Sequence, residues 1–286
     1  MTTQQFTTTL AQALGPAYPD AEAQAIAALV AETLLGLTPL QRRMQAATLV
    51  PPAVAERLPE LQARLLAHEP VQYVLGQAHF SGLELEVTPA TLIPRPETEE
   101  LAQLITQANA QRPGLTVLDV GTGSGCLALA LALWLPRPAR VLGVDVSAEA
   151  LAVARCNADR YAPAVELQQV DILQGVPAGL APGTLDVLVS NPPYVRASEQ
   201  TQMRANVLDW EPATALFVPD ADPLLFYRRL AELATTLLRP GGQVWLEINE
   251  TLGPETAALF NSADFAEVQV LNDFFGRVRF VRAVRA

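Results

Sequence analysis

The chain has 286 residues, half of them hydrophobic, which suffices for one large α/β domain and one small domain with substantial cores. Its formal charge of −11 and its scattered arginines leave no basic surface for a phosphate backbone, so nucleic acid is disfavoured as a partner. All 19 positive charges belong to arginine, which excludes the lysine chemistry of Schiff bases and P-loops.

Histidines and cysteines are too few and too dispersed to predict a metal site or a disulfide scaffold. His68 and His79 precede the main α/β pattern, and Cys126 and Cys156 do not form a C-x-x-C pair. No apolar stretch approaches the roughly 18 residues of a membrane span, and the first positive residue, Arg42, comes too late for a signal peptide. We therefore expect a cytoplasmic monomer without a metal, a membrane anchor or a nucleic-acid partner.

Residues 1–70 predict a small helical domain. Leu58, Leu61 and Leu65 recur at helical spacing and so indicate one apolar helix face. The next segment, residues 71–92, is predicted as a connector.

The connector is predicted to form a β-hairpin. From Tyr73 to Val87 the apolar residues change to a period of two, and Leu85 is flanked by glutamates. Ser81-Gly82 is a turn signal in the middle of this run. These features together predict two short antiparallel strands.

Residues 93–286 show short β-branched runs that alternate with alanine- and leucine-rich stretches, which predicts a doubly wound, mostly parallel sheet. Strands are predicted at 115–120, 140–146, 165–170, 185–190 and 243–248, and helices near 126–135, 148–160 and 223–238. Two further runs, Glu267 to Leu271 and Val278 to Val284, have only the turn Asn272-Asp273 between them. They predict an antiparallel hairpin that closes the sheet.

A glycine-rich turn follows the first strand of this sheet and precedes a helix. It consists of Gly121, Thr122, Gly123, Ser124 and Gly125. Its glycines let a ligand approach the backbone, and the helix N-terminus offers free N–H groups. A dinucleotide fingerprint needs a glycine at the position of Cys126, so the spacing departs from NAD binding. A purely structural turn remains the alternative.

Two acidic residues follow the next strands. Asp145 ends the run that starts at Arg140, where a carboxylate can accept both hydroxyls of a ribose. Its alternative role is to cap the following helix, although Ser147 is better placed. Asp171 could accept an adenine amino group while Ile172 covers a ring face, but aspartate at a strand end is also common in turns.

The motif that indicates a chemical role most specifically is Asn191-Pro192-Pro193-Tyr194, directly after the predicted strand Leu185–Ser190. The two prolines cannot donate backbone hydrogen bonds, so the carbonyls of Asn191 and Pro192 stay available to a ligand. Asn191 adds a side-chain carbonyl, and Tyr194 adds a flat apolar face. Such a site suits an –NH₂ group on an sp² centre; the alternative is a stiffened loop with a packed tyrosine.

Together these motifs resemble the amino-methyltransferase branch of the class I methyltransferases, which methylates adenine, cytosine or glutamine nitrogen. Leu92 to Glu99, with the sequence Leu-Ile-Pro-Arg-Pro-Glu-Thr-Glu, is similar to a block of the protein-(glutamine-N5) methyltransferases, the PrmC/HemK family. Glu69 to Gly76, Glu211-Pro212 and Asp273 to Arg279 resemble the same family. The resemblance covers residues 69–286.

The chain departs from the family pattern at two positions. Asn249 stands where the family usually has glycine, and a left-handed backbone, which asparagine tolerates, would account for it. Ile172 stands where an aromatic residue is common. This second departure affects the expected adenine contact.

The resemblance implies an S-adenosyl-L-methionine-dependent enzyme that methylates the Gly-Gly-Gln glutamine of class 1 peptide chain release factors. It implies that Gly121 to Gly125 and Asp145 hold the cofactor, with Asp171 and Ile172 near its adenine. Asn191 to Tyr194 are expected to hold the glutamine, with Asn191 also near the cofactor. For Arg95, substrate contact and a rigid lead into the catalytic domain are equally open. The helices of residues 1–70 are expected, by analogy, to recognise the protein substrate.

The expected chemistry is a direct in-line transfer to the amide nitrogen without a covalent enzyme intermediate. Three other functions compete with this interpretation. A DNA adenine-N6 methyltransferase would need a basic groove to flip a base. An NAD-linked oxidoreductase would need the missing glycine spacing, and a non-catalytic cofactor-binding scaffold would not need the Asn191–Tyr194 motif.

Overall fold

A computed structural model of the chain describes residues 1–138, 140–261 and 264–286. The chain divides into two units. The first comprises Met1–Gly76 with Arg204–Trp210, and the second comprises Gln77–Met203 with Glu211–Ala286.

The first unit is helical, as expected for its N-terminal residues. Its N-terminal helices are α1 (Thr3–Leu14), α2 (Asp20–Leu35), α3 (Pro39–Met44), α4 (Pro52–Ala55), α5 (Leu58–Leu66) and α6 (Val71–Leu75). Helix α1 begins where the Thr2 side chain accepts a hydrogen bond from the Gln5 N–H, and Gly36 ends α2 in a left-handed conformation. Phe6 and Leu61 lie in the fully buried core of this unit.

The hairpin prediction is wrong for its first residues, because Tyr73 lies in helix α6. Pro70 precedes this helix, and Gly76 ends it with a φ of 72°. Tyr73 and Val74 are adjacent and both buried, which a helical turn allows and the alternation of a half-buried strand does not. The strands begin only at Gln77.

The remaining elements follow in chain order. They are β1 (Gln77–Phe80), β2 (Leu83–Glu86), α7 (Pro96–Ala108), β3 (Thr116–Val120), α8 (Cys126–Trp134), β4 (Arg140–Asp145), α9 (Ala148–Tyr161), β5 (Glu166–Gln169), β6 (Leu185–Ser190), β7 (Val195–Arg196), α10 (Ala205–Leu208), α11 (Ala213–Leu216), β8 (Phe217–Val218), α12 (Leu225–Leu237), β9 (Leu238–Glu247), α13 (Gly253–Ala258), β10 (Phe265–Asn272) and β11 (Val278–Arg285). Short 3-10 turns occupy Ala197–Gln202 and Glu250–Leu252.

The second unit is built on a sheet whose described strands number seven, in the order β10-β11-β9-β6-β3-β4-β5. Strands β5, β4, β3, β6 and β9 pair in parallel, whereas β11 pairs antiparallel with both β9 and β10. The predicted mostly parallel sheet with a closing antiparallel hairpin is thus confirmed. Every residue of β6 is buried, as expected for a central strand covered on both faces.

Strand β9 is longer than predicted, because it starts at Leu238 and not at residue 243. The Pro-Gly-Gly segment within it looks like a strand breaker in the sequence. In the structure, an added Cβ at Gly242 would lie only 3.0 Å from the Leu185 carbonyl oxygen. The glycine therefore permits a close approach of β9 to β6.

The strand order reverses between β3 and β6, since β3 connects through α8 to β4 on its other side. At such a switch point the connections leave in opposite directions and open a crevice at the carboxyl ends of the strands. The glycine-rich turn, Asp145 and the Asn191 motif all lie at the carboxyl ends of parallel strands.

Candidate active site

A cavity of about 400 Å³ lies at this crevice, and its lining residues all belong to the second unit. The predicted site residues that line it are Arg95, Gly121, Thr122, Gly123, Ser124, Asp145, Asp171, Ile172, Asn191, Pro192 and Pro193. Gly125 and Tyr194 lie outside the lining, as far as the described residues define it. The lining between the polar groups is largely aliphatic, with Val120, Val144 and Leu230 among its residues.

Backbone and side-chain hydrogen bonds hold the glycine-rich turn against the sheet. The N–H groups of Gly121 and Thr122 both donate to the Val144 carbonyl, at 2.8 and 2.9 Å. Gly121 has a φ of 73°, and an added Cβ there would meet open space. The turn is thus fixed to the sheet, while its outer side is left to the cavity.

Asp119 fixes the same turn from within the core. Its Oδ2 accepts hydrogen bonds from the Thr122 hydroxyl at 2.7 Å and from the Ala128 N–H at 3.1 Å. Burial raises the pKa of Asp119 to about 7, although both hydrogen bonds favour the ionised form. The sequence reasoning missed this residue. The signal that could have found it is a carboxylate inside the buried apolar run of β3.

Asp145 lies on the cavity wall at the end of β4. Its Oδ2 accepts a hydrogen bond from the Gly123 N–H at 2.9 Å, and its Oδ1 accepts one from the Ser147 N–H at 3.0 Å. Ser147 itself caps α9 by accepting from the Ala150 N–H. Asp145 is therefore not the cap of α9, and it ties the glycine turn to the next strand.

Asp171 and Ile172 lie together on the cavity wall beyond β5. The carboxylate of Asp171 accepts from the Leu173 N–H and from the Gln174 side chain, at 3.0 and 2.6 Å. Ile172 is buried, and its carbonyl accepts a hydrogen bond from Arg229 on α12. The position of both residues is therefore fixed by local contacts.

Asn191 is connected to a buried chain of polar side chains. Its Nδ2 donates to the Thr98 hydroxyl at 3.0 Å, and that hydroxyl donates to Glu247 Oε2 at 2.7 Å. The Tyr194 hydroxyl donates to Glu247 Oε1 at 3.2 Å. Thr98 and Glu247 are almost fully buried, and sequence reasoning missed both. A glutamate at the end of the apolar run of β9 is the signal that could have found the second.

Burial also governs the ionisation of Glu247 and Tyr194. It raises the pKa of Glu247 to about 7, while the hydrogen bonds from Thr98 and Tyr194 lower it. Burial raises the pKa of Tyr194 well above its ordinary value, so the phenol stays protonated and serves as a donor. The Tyr194 ring packs against the core beside the sheet.

Asn249 does not adopt the left-handed backbone that its departure from the family pattern suggested. Its φ of −62° and ψ of 128° are extended, which any residue can adopt. Its Oδ1 accepts from the N–H and hydroxyl of Thr251, and its Nδ2 donates to the Tyr194 carbonyl at 3.2 Å. The side chain thus joins β9 to the Asn191 motif, a contact that glycine cannot make.

Arg95 lines the cavity while its guanidinium forms an ion pair with the buried carboxylate of Glu211, at 2.5 Å. The same carboxylate accepts a hydrogen bond from the Ile93 N–H at 3.2 Å. These contacts brace the segment that leads into α7. These contacts are internal to the chain, so the expected contact of Arg95 with the substrate stays a prediction.

Among the described residues no cluster of histidine, cysteine, aspartate or glutamate side chains could hold a metal ion. No helix in the described parts of the chain is long and apolar enough to cross a bilayer.

The strand order, the glycine-rich turn after β3 and the cavity at the carboxyl ends define the Rossmann-like fold of the class I methyltransferases. Two family models agree with this fold. The one described as the methyltransferase small domain matches residues 98–210, and the one described as the PrmC N-terminal domain matches residues 4–76.

Similarity to two named relatives identifies the family within this class. A release factor glutamine methyltransferase of Bacteroides thetaiotaomicron is 42% identical over 98% of this chain and 99% of its own length. Another, of Flavobacterium psychrophilum, is 42% identical over 77% of this chain and 76% of its own. A solved structure of a release factor-specific protein-(glutamine-N5) methyltransferase from Alicyclobacillus acidocaldarius is 30% identical, with a TM-score of 0.42, over 70% of this chain and 99% of that one. The chain belongs to the release factor glutamine methyltransferase family.

Proposed function

We propose that the chain transfers a methyl group from S-adenosyl-L-methionine to the side-chain amide nitrogen of the glutamine in the Gly-Gly-Gln motif of class 1 peptide chain release factors, and so supports translation termination. The observation that carries this proposal is that the glycine turn, Asp145 and Asn191 line the same cavity. Family membership favours a protein substrate over the adenine of DNA, as does the acidic chain.

The residues of the cavity fit the proposed cofactor. The positive φ at Gly121 and the open space beside it would admit a polar ligand close to the backbone. Asp145 offers carboxylate oxygens to ribose hydroxyls, and Ile172 offers an aliphatic face to a base with Asp171 beside it. We assign Gly121 to Gly125 to the same cofactor, with Gly125 acting through the shape of the turn.

Asn191 and Pro192 are proposed to receive the glutamine amide. Two carbonyl acceptors can bind both hydrogens of an –NH₂ group and so fix its plane. Pro193 would limit the position of the group, and Tyr194 would act from behind the motif through Glu247, since its ring packs on the core. Arg95 stands at the same cavity and is the candidate for contact with the peptide around the glutamine.

When bound, the cofactor supplies a methyl group on a sulfonium centre. The amide nitrogen is a weak nucleophile because its lone pair is delocalised, so the site must orient that lone pair toward the methyl group. Asn191 and Pro192 can do so and can also stabilise the positive charge that develops on nitrogen. Positioning of this kind supplies on the order of 7–11 kcal/mol of a barrier, more than any single hydrogen bond.

The remaining parts of the proposal concern the protein partner. We infer that the helices of residues 1–70 recognise the release factor away from the reacting glutamine, and that residues 93–286 carry the chemistry. We expect the enzyme to act in the cytoplasm as a monomer.

The proposal is tested by incubating the chain with radiolabelled S-adenosyl-L-methionine and a class 1 release factor, then mapping the label by peptide analysis. The label is expected on the Gly-Gly-Gln glutamine and should be absent from a factor in which alanine replaces that glutamine. Label on another residue of the factor, or no label at all, would overturn the proposed function.

A further inference from the structure

Thr98 lies on the cavity wall and links the Asn191 amide to the buried carboxyl of Glu247. A threonine hydroxyl has one proton, and that of Thr98 is donated to Glu247 Oε2 at 2.7 Å. Its oxygen can therefore only accept from Asn191, which requires that the amide present Nδ2 to Thr98, as it does at 3.0 Å. The amide oxygen of Asn191 is then the end directed away from Thr98.

We propose that Glu247, acting through Thr98 as a pair of positioning residues, sets the amide of Asn191 so that its oxygen faces the substrate. This inference rests on the proposed function, in which the Asn191 oxygen accepts a hydrogen bond from the glutamine –NH₂ group. Neither Glu247 nor Thr98 needs to touch the reacting atoms. Their effect is on which end of the Asn191 amide meets the substrate.

The charge of Glu247 decides which groups donate and which accept in the hydrogen bonds that join Glu247, Thr98 and Asn191. As a carboxylate it accepts from both Thr98 and Tyr194, whose hydroxyl oxygens lie 2.7 and 3.2 Å from its two oxygens. As a carboxylic acid it can donate to Thr98, whose own proton is then free to bond the Asn191 oxygen. That arrangement turns the Asn191 amide around and presents a second –NH₂ group to the substrate –NH₂, so the acceptor is lost.

The surroundings of Glu247 place this change near neutral pH. Burial raises the pKa of Glu247 to about 7, opposed by its hydrogen bonds and by the nearby Arg279 guanidinium. The described titratable groups that face it from neighbouring elements are Glu97 of α7, Cys126 of α8, Tyr194 after β6, Tyr227 of α12 and Arg279 of β11. Burial raises the pKa values of Cys126, Tyr194 and Tyr227 above their ordinary ranges, so these three stay neutral while Glu247 titrates.

The first test uses the full chain and measures kcat and KM for the release factor between pH 6 and 9. Wild-type kcat should rise through an apparent pKa near 7. Thr98→Val removes the hydroxyl at nearly constant volume, and should lower kcat at least about tenfold with little change in KM and no pH dependence near neutrality. Thr98→Ser should restore both rate and profile, and Glu247→Gln should abolish the pH dependence.

A matched control is Thr106→Val on the same helix, because the Thr106 hydroxyl donates only to the Ala102 carbonyl one turn back. It should leave kcat and its pH profile unchanged. If Glu247→Gln does not fold, the contrast between Thr98→Val and Thr98→Ser still decides. Wild-type kcat and pH profile in folded Thr98→Val would overturn the inference.

A second measurement does not depend on activity and so separates this inference from the proposed function. The side-chain ¹⁵N–¹H₂ resonances of Asn191, identified by their loss in Asn191→Asp, should shift with pH around 7 in the wild-type chain. The shift should vanish in Thr98→Val and persist in Thr98→Ser. If the resonances titrate equally in wild type and Thr98→Val, Glu247 does not act on Asn191 through Thr98. That result would refute the inference even if the enzyme methylates its substrate.

Discussion

At the residue scale, substitution can separate the hydrogen bond that Asp145 accepts from the Gly123 N–H from its proposed contact with the cofactor ribose. Asp145→Ala removes the proposed ribose acceptor and also the acceptor of the Gly123 N–H. We expect a loss of about 1.5–3 kcal/mol in affinity for S-adenosylhomocysteine, measured by calorimetric titration, with the fold intact. Asp145→Asn keeps an acceptor for the Gly123 N–H and should lose less affinity for S-adenosylhomocysteine. Unchanged affinity in folded Asp145→Ala would show that the carboxylate serves the turn alone.

Asn191 should be essential for turnover. Substitution by alanine tests the loss of its acceptor oxygen, and substitution by aspartate tests the effect of a negative charge at the same position. Asn191→Ala removes one of the two acceptors proposed to fix the –NH₂ plane, so the single-turnover rate should fall by at least about 10²-fold. Asn191→Asp keeps an acceptor but cannot donate to Thr98, and its charge near the sulfonium could tighten the ground state without aiding the transition state. Cofactor affinity should therefore survive in Asn191→Asp while turnover drops.

The comparison requires that both proteins are folded, which circular dichroism will establish. A wild-type rate in folded Asn191→Ala would mean that the amide binds elsewhere and that the proposed mechanism is wrong.

At the scale of elements, the antiparallel hairpin β10–β11 depends on one buried carboxylate in its turn. Asp273 Oδ1 accepts from the N–H groups of Phe275 and Arg277, both at 2.9 Å, and Oδ2 accepts from Arg279 at 3.4 Å. Asp273→Ala leaves these donors without their acceptor and should cost about 2–5 kcal/mol in the free energy of unfolding by urea. Glu232→Ala, which removes an exposed carboxylate paired with Arg229, should change it by less than about 1 kcal/mol. Equal effects would contradict this account of the turn.

Elements with a single dominant signal could be predicted from the sequence. Strand β6 is buried throughout and apolar at residues 185 and 187–189, so its bounds Leu185–Ser190 could be predicted from the sequence. Helix α6 was missed because Tyr73 and Val74 lie in a short segment where helical and strand periods are hard to tell apart. The start of β9 was missed because Gly242 looks like a breaker although it allows a close strand approach.

The cavity was predictable in outline for a different reason. Parallel strands bring their carboxyl ends to one edge, so residues that follow β3, β4 and β6 had to meet there. The supporting residues Thr98 and Glu247 were not predictable, because their roles depend on a side-chain contact between residues 149 positions apart. A one-dimensional pattern carries no such pairing.

At the scale of the whole molecule, the first unit includes Arg204–Trp210, a segment far from residues 1–76 in the sequence. Trp210 Nε1 donates to the Ala67 carbonyl at 3.3 Å. Deletion of residues 1–76 should abolish methylation of intact release factor, because remote contacts of the substrate are lost, while affinity for S-adenosylhomocysteine stays near normal. Trp210→Phe in the full chain is the control for loss of this contact alone. Full activity of the truncated enzyme on intact factor would refute a recognition role.

The stability of the whole molecule should fall with rising pH near neutrality, because burial raises the pKa values of Asp119 and Glu247 to about 7. Between their ordinary values, near 4, and pH 7, the folded chain keeps two protons that the unfolded chain releases. Their stabilising contribution is therefore complete below about pH 4 and is lost as the pH rises through 7. The carboxyls with lowered pKa values, such as that of Asp273, titrate below this window.

Thermal unfolding measured from pH 5.5 to 8 should accordingly show a falling Tm in the wild-type chain. Asp119→Asn and Glu247→Gln, which cannot ionise, should each flatten this dependence, whereas Glu232→Asp on the exposed face of α12 should not. A pH dependence of Tm as steep in both variants as in wild type would contradict raised pKa values at these sites. Because turnover is expected to need ionised Glu247, activity should rise over the same interval in which stability falls. The buried carboxylate that orients Asn191 would then be held ionised at a cost to the fold, as is common where a site is preorganised.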